Sequence, residues 1–243
     1  MGLNLEIVKL PKKIDPCPII EAIVELRFNS PFPHDAIFGI IYKEFKDDYP
    51  TVEELPILQL PESVRRQDPN LSYKPYYKLS KNDKFLFQVG ARVISLISLN
   101  PYAGWNKFYE ELKDMLQRIK KLEILSSYNR VGIRYINGFE GNIFEKVDLS
   151  LNMRGKILKD INTSMRLEML TGKFVSTLRI ANNVQITIKD KTIQGSIIDI
   201  DTFIENPVED ELGLLDIGHI EEKKLFFTLL KEDFLKHELN PEY

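Results

Sequence analysis

Charge recurs at every second residue along several β-prone segments of this 243-residue chain. Glu21, Glu25 and Arg27 alternate in one run, Arg130 and Arg134 in a second, Arg166 and Glu168 in a third. Arg179, Lys189 and the pair Asp199 and Asp201 follow. Successive side chains of a strand point to opposite faces, so the members of each set share one face. Two chemistries are open to such a set. Guanidinium groups clamp phosphate or carboxylate through paired hydrogen bonds, which makes Glu25, Arg27, Arg130, Arg134, Arg166, Glu168 and Arg179 the candidate binding residues. Asp199 and Asp201 carry the hard oxygens that Mg²⁺ takes. The competing reading is cross-strand ion pairing on the solvated face of an antiparallel sheet.

Other chemistry finds no template. The chain has no Gly-x-Ser-x-Gly elbow, no Gly-x-Gly-x-x-Gly, and no phosphate loop, since Thr171-Gly172-Lys173 lacks the upstream glycine. His34, His219 and His237 are far apart and read as helix-end or surface residues. Cys17, the one cysteine, lies between Pro16 and Pro18 with no neighbouring histidine, so it reads as an inert thiol. Tyr73, Tyr76, Tyr77, Phe85 and Phe87 cluster where base stacking is conceivable. Few basic residues interleave with them, and core packing is the stronger reading. No catalytic residue is assigned.

The elements that must position these residues are legible from periodicity. Residues 19–29 alternate, with Ile20, Ala22, Val24, Leu26 and Phe28 on one face, so they form a half-buried strand ended by Pro31 and Pro33. Ile37, Ile41 and Phe45 recur at four-residue steps and predict a helix over 34–47. A stretch punctuated by Pro50, Pro56, Pro61, Pro69 and Pro75 reads as irregular or as carrying one short strand. Runs at 76–79, 85–89 and 92–99 then predict an antiparallel meander with turns at Asn82-Asp83 and Gly90-Ala91. Trp105, Phe108, Leu112, Met115, Ile119 and Leu122 make the clearest helix in the chain. The second half follows the same plan. It reads as a strand at 129–137, a short helix near 142–147 and four strands at 164–170, 173–180, 184–188 and 196–203. Turns are expected at Thr171-Gly172, Asn182-Asn183 and around Asp190, and a closing helix over about 216–236.

The fold expected is therefore α+β, with two related halves at 1–125 and 126–243, each an antiparallel meander sheet with packed helices and no flexible linker between them. Val24-Glu25-Leu26-Arg27-Phe28-Asn29 matches Val131-Gly132-Ile133-Arg134-Tyr135-Ile136-Asn137, which suggests an internal duplication. Composition fits an ordinary folded chain, with 43% hydrophobic and 28% charged residues. Residues 1–204 carry 29 Lys and Arg against 25 Asp and Glu, while residues 205–243 carry 4 against 11. The acidic end reads as a solvated helix face and loop, with a docking surface for a basic partner as the lesser reading. The basic excess of the body is small and scattered, and with a pI near 5.8 it disfavours nucleic acid. The first fifteen residues lack the apolar core of a signal peptide, and Glu6 stands where a myristoylation signal needs Ser or Thr. The longest apolar run, 93–99, is far shorter than a membrane span. A cytoplasmic protein that contacts no membrane is expected, with its oligomeric state left open.

The segment Pro16-Cys17-Pro18-Ile19-Ile20-Glu21-Ala22-Ile23-Val24-Glu25-Leu26-Arg27-Phe28 resembles the opening of a sporadically distributed bacterial and archaeal protein family with no assigned activity. That family begins with a Pro-Pro-Leu/Ile-x-Glu-Ala-x-x-Glu-Leu-Arg-Phe-type motif. Arg130-Val131-Gly132-Ile133-Arg134-Tyr135-Ile136-Asn137 is similar to its central Leu-Arg-Tyr-Ile-Asn element. Cys17 departs from the motif, which more often has proline there. The resemblance covers most of the chain, and the family's patchy distribution implies a mobile or defence-type system. Separately, Glu25-x-Arg27 and Asp199-x-Asp201 loosely resemble the acidic and basic strands of triphosphate tunnel enzymes. The expectation is a non-enzymatic binding or accessory protein that uses a charged sheet face for a protein partner or small anionic ligand, without a cofactor. The alternative is a Mg²⁺-dependent nucleotide or triphosphate enzyme built on Asp199 and Asp201.

Overall fold

The structure, a computed structural model, describes residues 9–68, 71–81, 84–158, 162–188, 191–208 and 210–243. The first eight residues, Pro69, the turn expected at Asn82-Asp83, Lys189 and the turn expected around Asp190 lie outside the described residues. The chain runs β1 (Ile19–Asn29), α1 (His34–Phe45), β2 (Thr51–Glu54), α2 (Glu62–Gln67), β3 (Tyr77–Lys81), β4 (Phe85–Val89), β5 (Val93–Leu99) and α3 (Trp105–Lys121). It continues with β6 (Ser127–Glu140), β7 (Leu151–Met153), β8 (Lys156–Leu158), β9 (Thr163–Thr171), β10 (Phe174–Ile188), β11 (Lys191–Glu205), α4 (Glu211–Leu229) and α5 (Glu232–Glu238). The class is α+β, and its meanders are antiparallel.

The chain gathers into two compact units. One comprises Ala22–Gly132 and Ile204–Leu215; the other comprises the segment up to Glu21, Ile133–Phe203 and Asp216–Tyr243. Their limits differ from a cut at residue 125 because β1 and β6 each contribute residues to both.

In the first unit the strand order is β2-β3-β4-β5-β1-β6. The alternation read from β1 is physical: Ala22, Val24, Leu26 and Phe28 have no exposed surface, while Glu25 and Arg27 on the other face keep some. α1 buries Ile37, Ile41 and Phe45, and α3 buries Phe108, Leu112, Met115, Leu116 and Ile119. Each such side chain contributes about 1.5–3 kcal/mol of hydrophobic burial. Phe45 meets Phe87 edge-on at 5.0 Å and Phe108 stacks on Phe85 at 6.4 Å, which sets both helices on the same face of β4. Tyr77 stacks on Phe38 of α1 at 3.6 Å. The proline-rich stretch holds more order than its sequence suggests, with β2, a 3-10 turn at Pro56–Gln59 and α2.

In the second unit the order is β1-β6-β11-β10-β9. Leu225 and Phe226 of α4 join Leu178, Ile180, Ile198, Ile200 and Phe139 in one buried cluster. Three expectations change here. Residues 173–180 and 184–188 are not two strands joined by a turn but the single strand β10, with its register shifted between Ala181 and Val184. Asn183 takes φ 60° there, so the extra residue is absorbed as a bulge while pairing continues. The bulge is held by Asn182, whose side chain accepts from Ile143 N at 2.9 Å and Ser196 Oγ at 2.9 Å. Gly195, opposite Val184, has no substitute, because a Cβ there would lie 2.3 Å from the Phe139 carbonyl oxygen.

The short helix expected near 142–147 is a 3-10 turn at Ile143–Glu145. The closing helix expected over 216–236 is two helices. Leu230 bridges to Val147 and Lys231 Nζ donates to the Phe144 carbonyl at 2.8 Å, so the chain is drawn out of helical geometry between α4 and α5. No helix among the described residues is long and apolar enough to cross a membrane.

Candidate anion-binding face

Two clusters of alternating charge form, one in each unit. In the first, Glu25 Oε1 accepts from Arg27 Nε at 2.8 Å and from Arg130 Nη1 at 2.9 Å. The buried member is an arginine: the Arg130 side chain is 8% exposed, against 27% for Glu25 and 36% for Arg27. Gly132 makes this packing feasible, since a Cβ there would meet Arg130 Nη1 at 2.6 Å. The Arg27 guanidinium is capped by the Tyr73 ring at 5.0 Å, a cation–π contact.

In the second unit the arrangement inverts. Asp199 sits opposite Arg179 in the β10–β11 ladder and is 8% exposed. Both its oxygens are engaged by Arg134, Nε to Oδ1 and Nη2 to Oδ2, each at 2.7 Å. Arg179 Nη1 donates to Oδ2 at 3.3 Å. Both arginine side chains are 37% exposed. The hydrogen bonds to Asp199 hold the Arg134 guanidinium above its ordinary pKa, against its desolvation, with Asp201 and Glu21 adding to the effect. Arg166 stands opposite Arg179 on β9 and pairs with Glu168, which also accepts from Thr177 Oγ1 at 3.4 Å.

Glu25, Arg27 and Arg130 form one group, and Arg134, Arg179, Arg166 and Glu168 the other, with Asp199 at its centre. The sequence suggests that Arg134 has only the like-charged Arg130 beside it; the cross-strand partner Asp199, invisible to sequence spacing, overturns that. Asp199 is also answered by two guanidinium groups where a divalent ion would have to sit. Among the described residues no group of three or more His, Cys, Asp or Glu side chains is placed to hold a metal ion. An arginine carries five N–H donors. Arg134 gives two to Asp199 and Arg179 gives one, and neither makes another hydrogen bond among the described residues. What the arrangement can do chemically is hold an oxyanion against two pre-oriented guanidinium forks.

Sequence reasoning also misplaces one histidine. His219 is not at a helix end; it sits within α4, and its Nδ1 lies 2.9 Å from Tyr135 Oη. Burial, with Lys223 nearby, pushes its pKa down to about 3. Three residues further along α4, Glu222 is 4% exposed and its Oε1 has no hydrogen-bond partner, so burial drives its pKa well above the ordinary carboxylate range. Cys17 is free and exposed, and the packed chain around it raises its thiol pKa, the reverse of activation.

No protein-family model and no curated protein matches the chain.

Proposed function

We propose that this is a non-enzymatic binding or accessory protein whose charged sheet face recognises a carboxylate- or phosphate-bearing ligand through Arg134 and Arg179. One observation carries the reading: the carboxylate of Asp199 is buried while the two arginines it orients reach solvent. A purely structural ion pair has no need to leave its cations outward with donors unspent. Arg166, opposite Arg179, extends the same face. Isothermal titration with tripolyphosphate, without metal and at low ionic strength, tests it. Saturable binding weakened about ten-fold by Arg179→Gln, the loss of a charge-assisted hydrogen bond, is the expected result. Release of phosphate from nucleoside triphosphates or tripolyphosphate with Mg²⁺, abolished by Asp201→Ala, would replace it with the enzyme reading.

The resemblance to the sporadic bacterial and archaeal family belongs to this proposal, as does its implied place in mobile or defence-type systems. So does a duplication relating 1–125 to 126–243. It is supported by topology as well as by the Arg27 and Arg134 motifs. In each half the first strand neighbours the last strand of the meander that follows, β1 beside β5 and β6 beside β11. A long helix then follows each meander, α3 and α4.

A further inference from the structure

Arg65 and Arg92 lie in the first unit, outside the charged face. Among the described residues every other arginine has a carboxylate partner except Arg154, which is exposed. Arg65 and Arg92 have none, and neither is fully exposed. Both guanidinium groups are instead oriented by neutral partners. Arg92 Nε donates to His34 Nε2 at 3.2 Å, and Arg65 Nε donates to the Leu60 carbonyl at 3.1 Å while its guanidinium lies 4.7 Å over the Tyr76 ring. Burial, with the charges of Arg92 and Arg66, lowers the His34 pKa, which suits a neutral ring that accepts from Arg92.

These groups close around a cavity of about 70 Å³ lined by His34, Arg65, Arg66, Ser72, Tyr76 and Arg92. A single water needs about 10–15 Å³ of such space, so the cavity has room for a small oxyanion. The acidic groups nearby, Asp35 and Glu62, both pair with Arg66, so they answer its charge and leave those of Arg65 and Arg92. The 12-residue helix α1 also begins at His34, with no side-chain cap on its first turn, and the positive end of its dipole favours an anion. The backbone that carries Arg92 is fixed from both sides, since its carbonyl accepts from Phe28 N at 3.1 Å and Gly90 N bonds to the Val93 carbonyl at 2.8 Å.

We propose that this cavity is a binding site for a single tetrahedral oxyanion, a phosphate group, held by the Arg65 and Arg92 guanidinium forks with the Ser72 and Tyr76 hydroxyls as further partners. The site is independent of Arg134 and Arg179, and it differs from that face in kind: the cavity admits one phosphate group, whereas the open face admits a polyanion. Either free phosphate or the phosphate end of a larger molecule presents this chemistry.

The test is calorimetric titration of the full chain at low ionic strength with inorganic phosphate and, in a second arm, glycerol phosphate. One-to-one saturable binding of inorganic phosphate is expected, with Arg92→Gln and Arg65→Gln each weakening it about ten-fold or more, and Arg154→Gln, at an exposed arginine of neither site, leaving it within about two-fold. Binding of inorganic phosphate alone assigns the free ion, and binding of both assigns a phosphomonoester. If an arginine variant does not fold, a rise in the melting temperature of the native chain with phosphate, diminished in Ser72→Ala and Tyr76→Phe, carries the same weight. Absence of saturable binding, or equal affinity in the native chain and the arginine variants, overturns the proposal. So does an equal weakening of phosphate binding by Arg154→Gln.

Discussion

The two charge clusters share a formula and differ in which member is buried. Each sets two arginines on one carboxylate, drawn from alternating positions of neighbouring strands. Around Glu25 the most buried side chain is Arg130, and Arg27, as open as the arginines of the other cluster, sets its guanidinium against the Tyr73 ring. Around Asp199 the carboxylate is buried and both arginines face outward. A buried carboxylate fixes its cations while leaving their outer donors in solvent. A buried arginine spends its donors inside the fold. The difference teaches that composition and spacing alone do not decide which member of a charge cluster is buried; strand register does.

The sharpest way to break the comparison is to remove the most buried charge of each cluster. Asp199→Ala leaves two guanidinium groups facing each other over a buried position, and breaking a buried pair costs about 3–5 kcal/mol. Solvent reaches both arginines and screens them, so a loss near the lower end, about 3 kcal/mol, is expected in urea melts. Arg130→Ala comes next, at about 2 kcal/mol, because its buried donors and packing go while Glu25 keeps Arg27. It should leave tripolyphosphate affinity unchanged. An Arg130→Ala variant as stable as the native chain would remove the structural role assigned to that cluster.

The pH of these melts matters because α4 buries two titratable groups that act in opposite directions. The pKa of Glu222 is raised in the folded chain, so native stability falls as pH rises above its unfolded value of about 4.3. Glu222→Gln should match the native chain near pH 4 and exceed it by about 1 kcal/mol or more at pH 7.5. The pKa of His219 is lowered to about 3. Its contribution is therefore lost as pH falls from about 6.5, its unfolded value, towards 3. Melts at pH 7.5 stand above the His219 window. A Glu222→Gln difference that does not change with pH would show that this carboxyl is not buried in its neutral form.

Arg27→Ala is expected to have the smallest effect, within about 0.5 kcal/mol, as for an exposed pair whose partner retains another cation. This reverses the order that the sequence implies, in which Arg27 has local partners and Arg134 has none.

That reversal marks where the sequence stops being legible. Period-two alternation locates β1 and β6 because burial of Val24, Leu26, Val131 and Ile133 enforces it, and the 3–4 spacing of Phe108 to Ile119 does the same for α3. Strand registers are not written locally, so the pairing of Arg134 with Asp199, 65 residues away, cannot be seen. The bulge at Asn183 imitates a turn because asparagine serves both conformations. α4 is blurred because Glu222 and Gly218 sit on its inward face, where apolar residues would have marked it. Arg65 and Arg92 have no periodic signal at all; a short helix and a turn bring them together.

The central proposal is that Arg134 and Arg179 form an outward binding face and that Arg27 and Arg130 do not. Titration of tripolyphosphate into the native chain, Arg134→Gln and Arg27→Gln at pH 7.5 and low ionic strength tests it most directly. The account predicts about a ten-fold or greater loss of affinity for Arg134→Gln and a change within about two-fold for Arg27→Gln. Equal weakening in the two variants, or no saturable binding to the native chain, would contradict it.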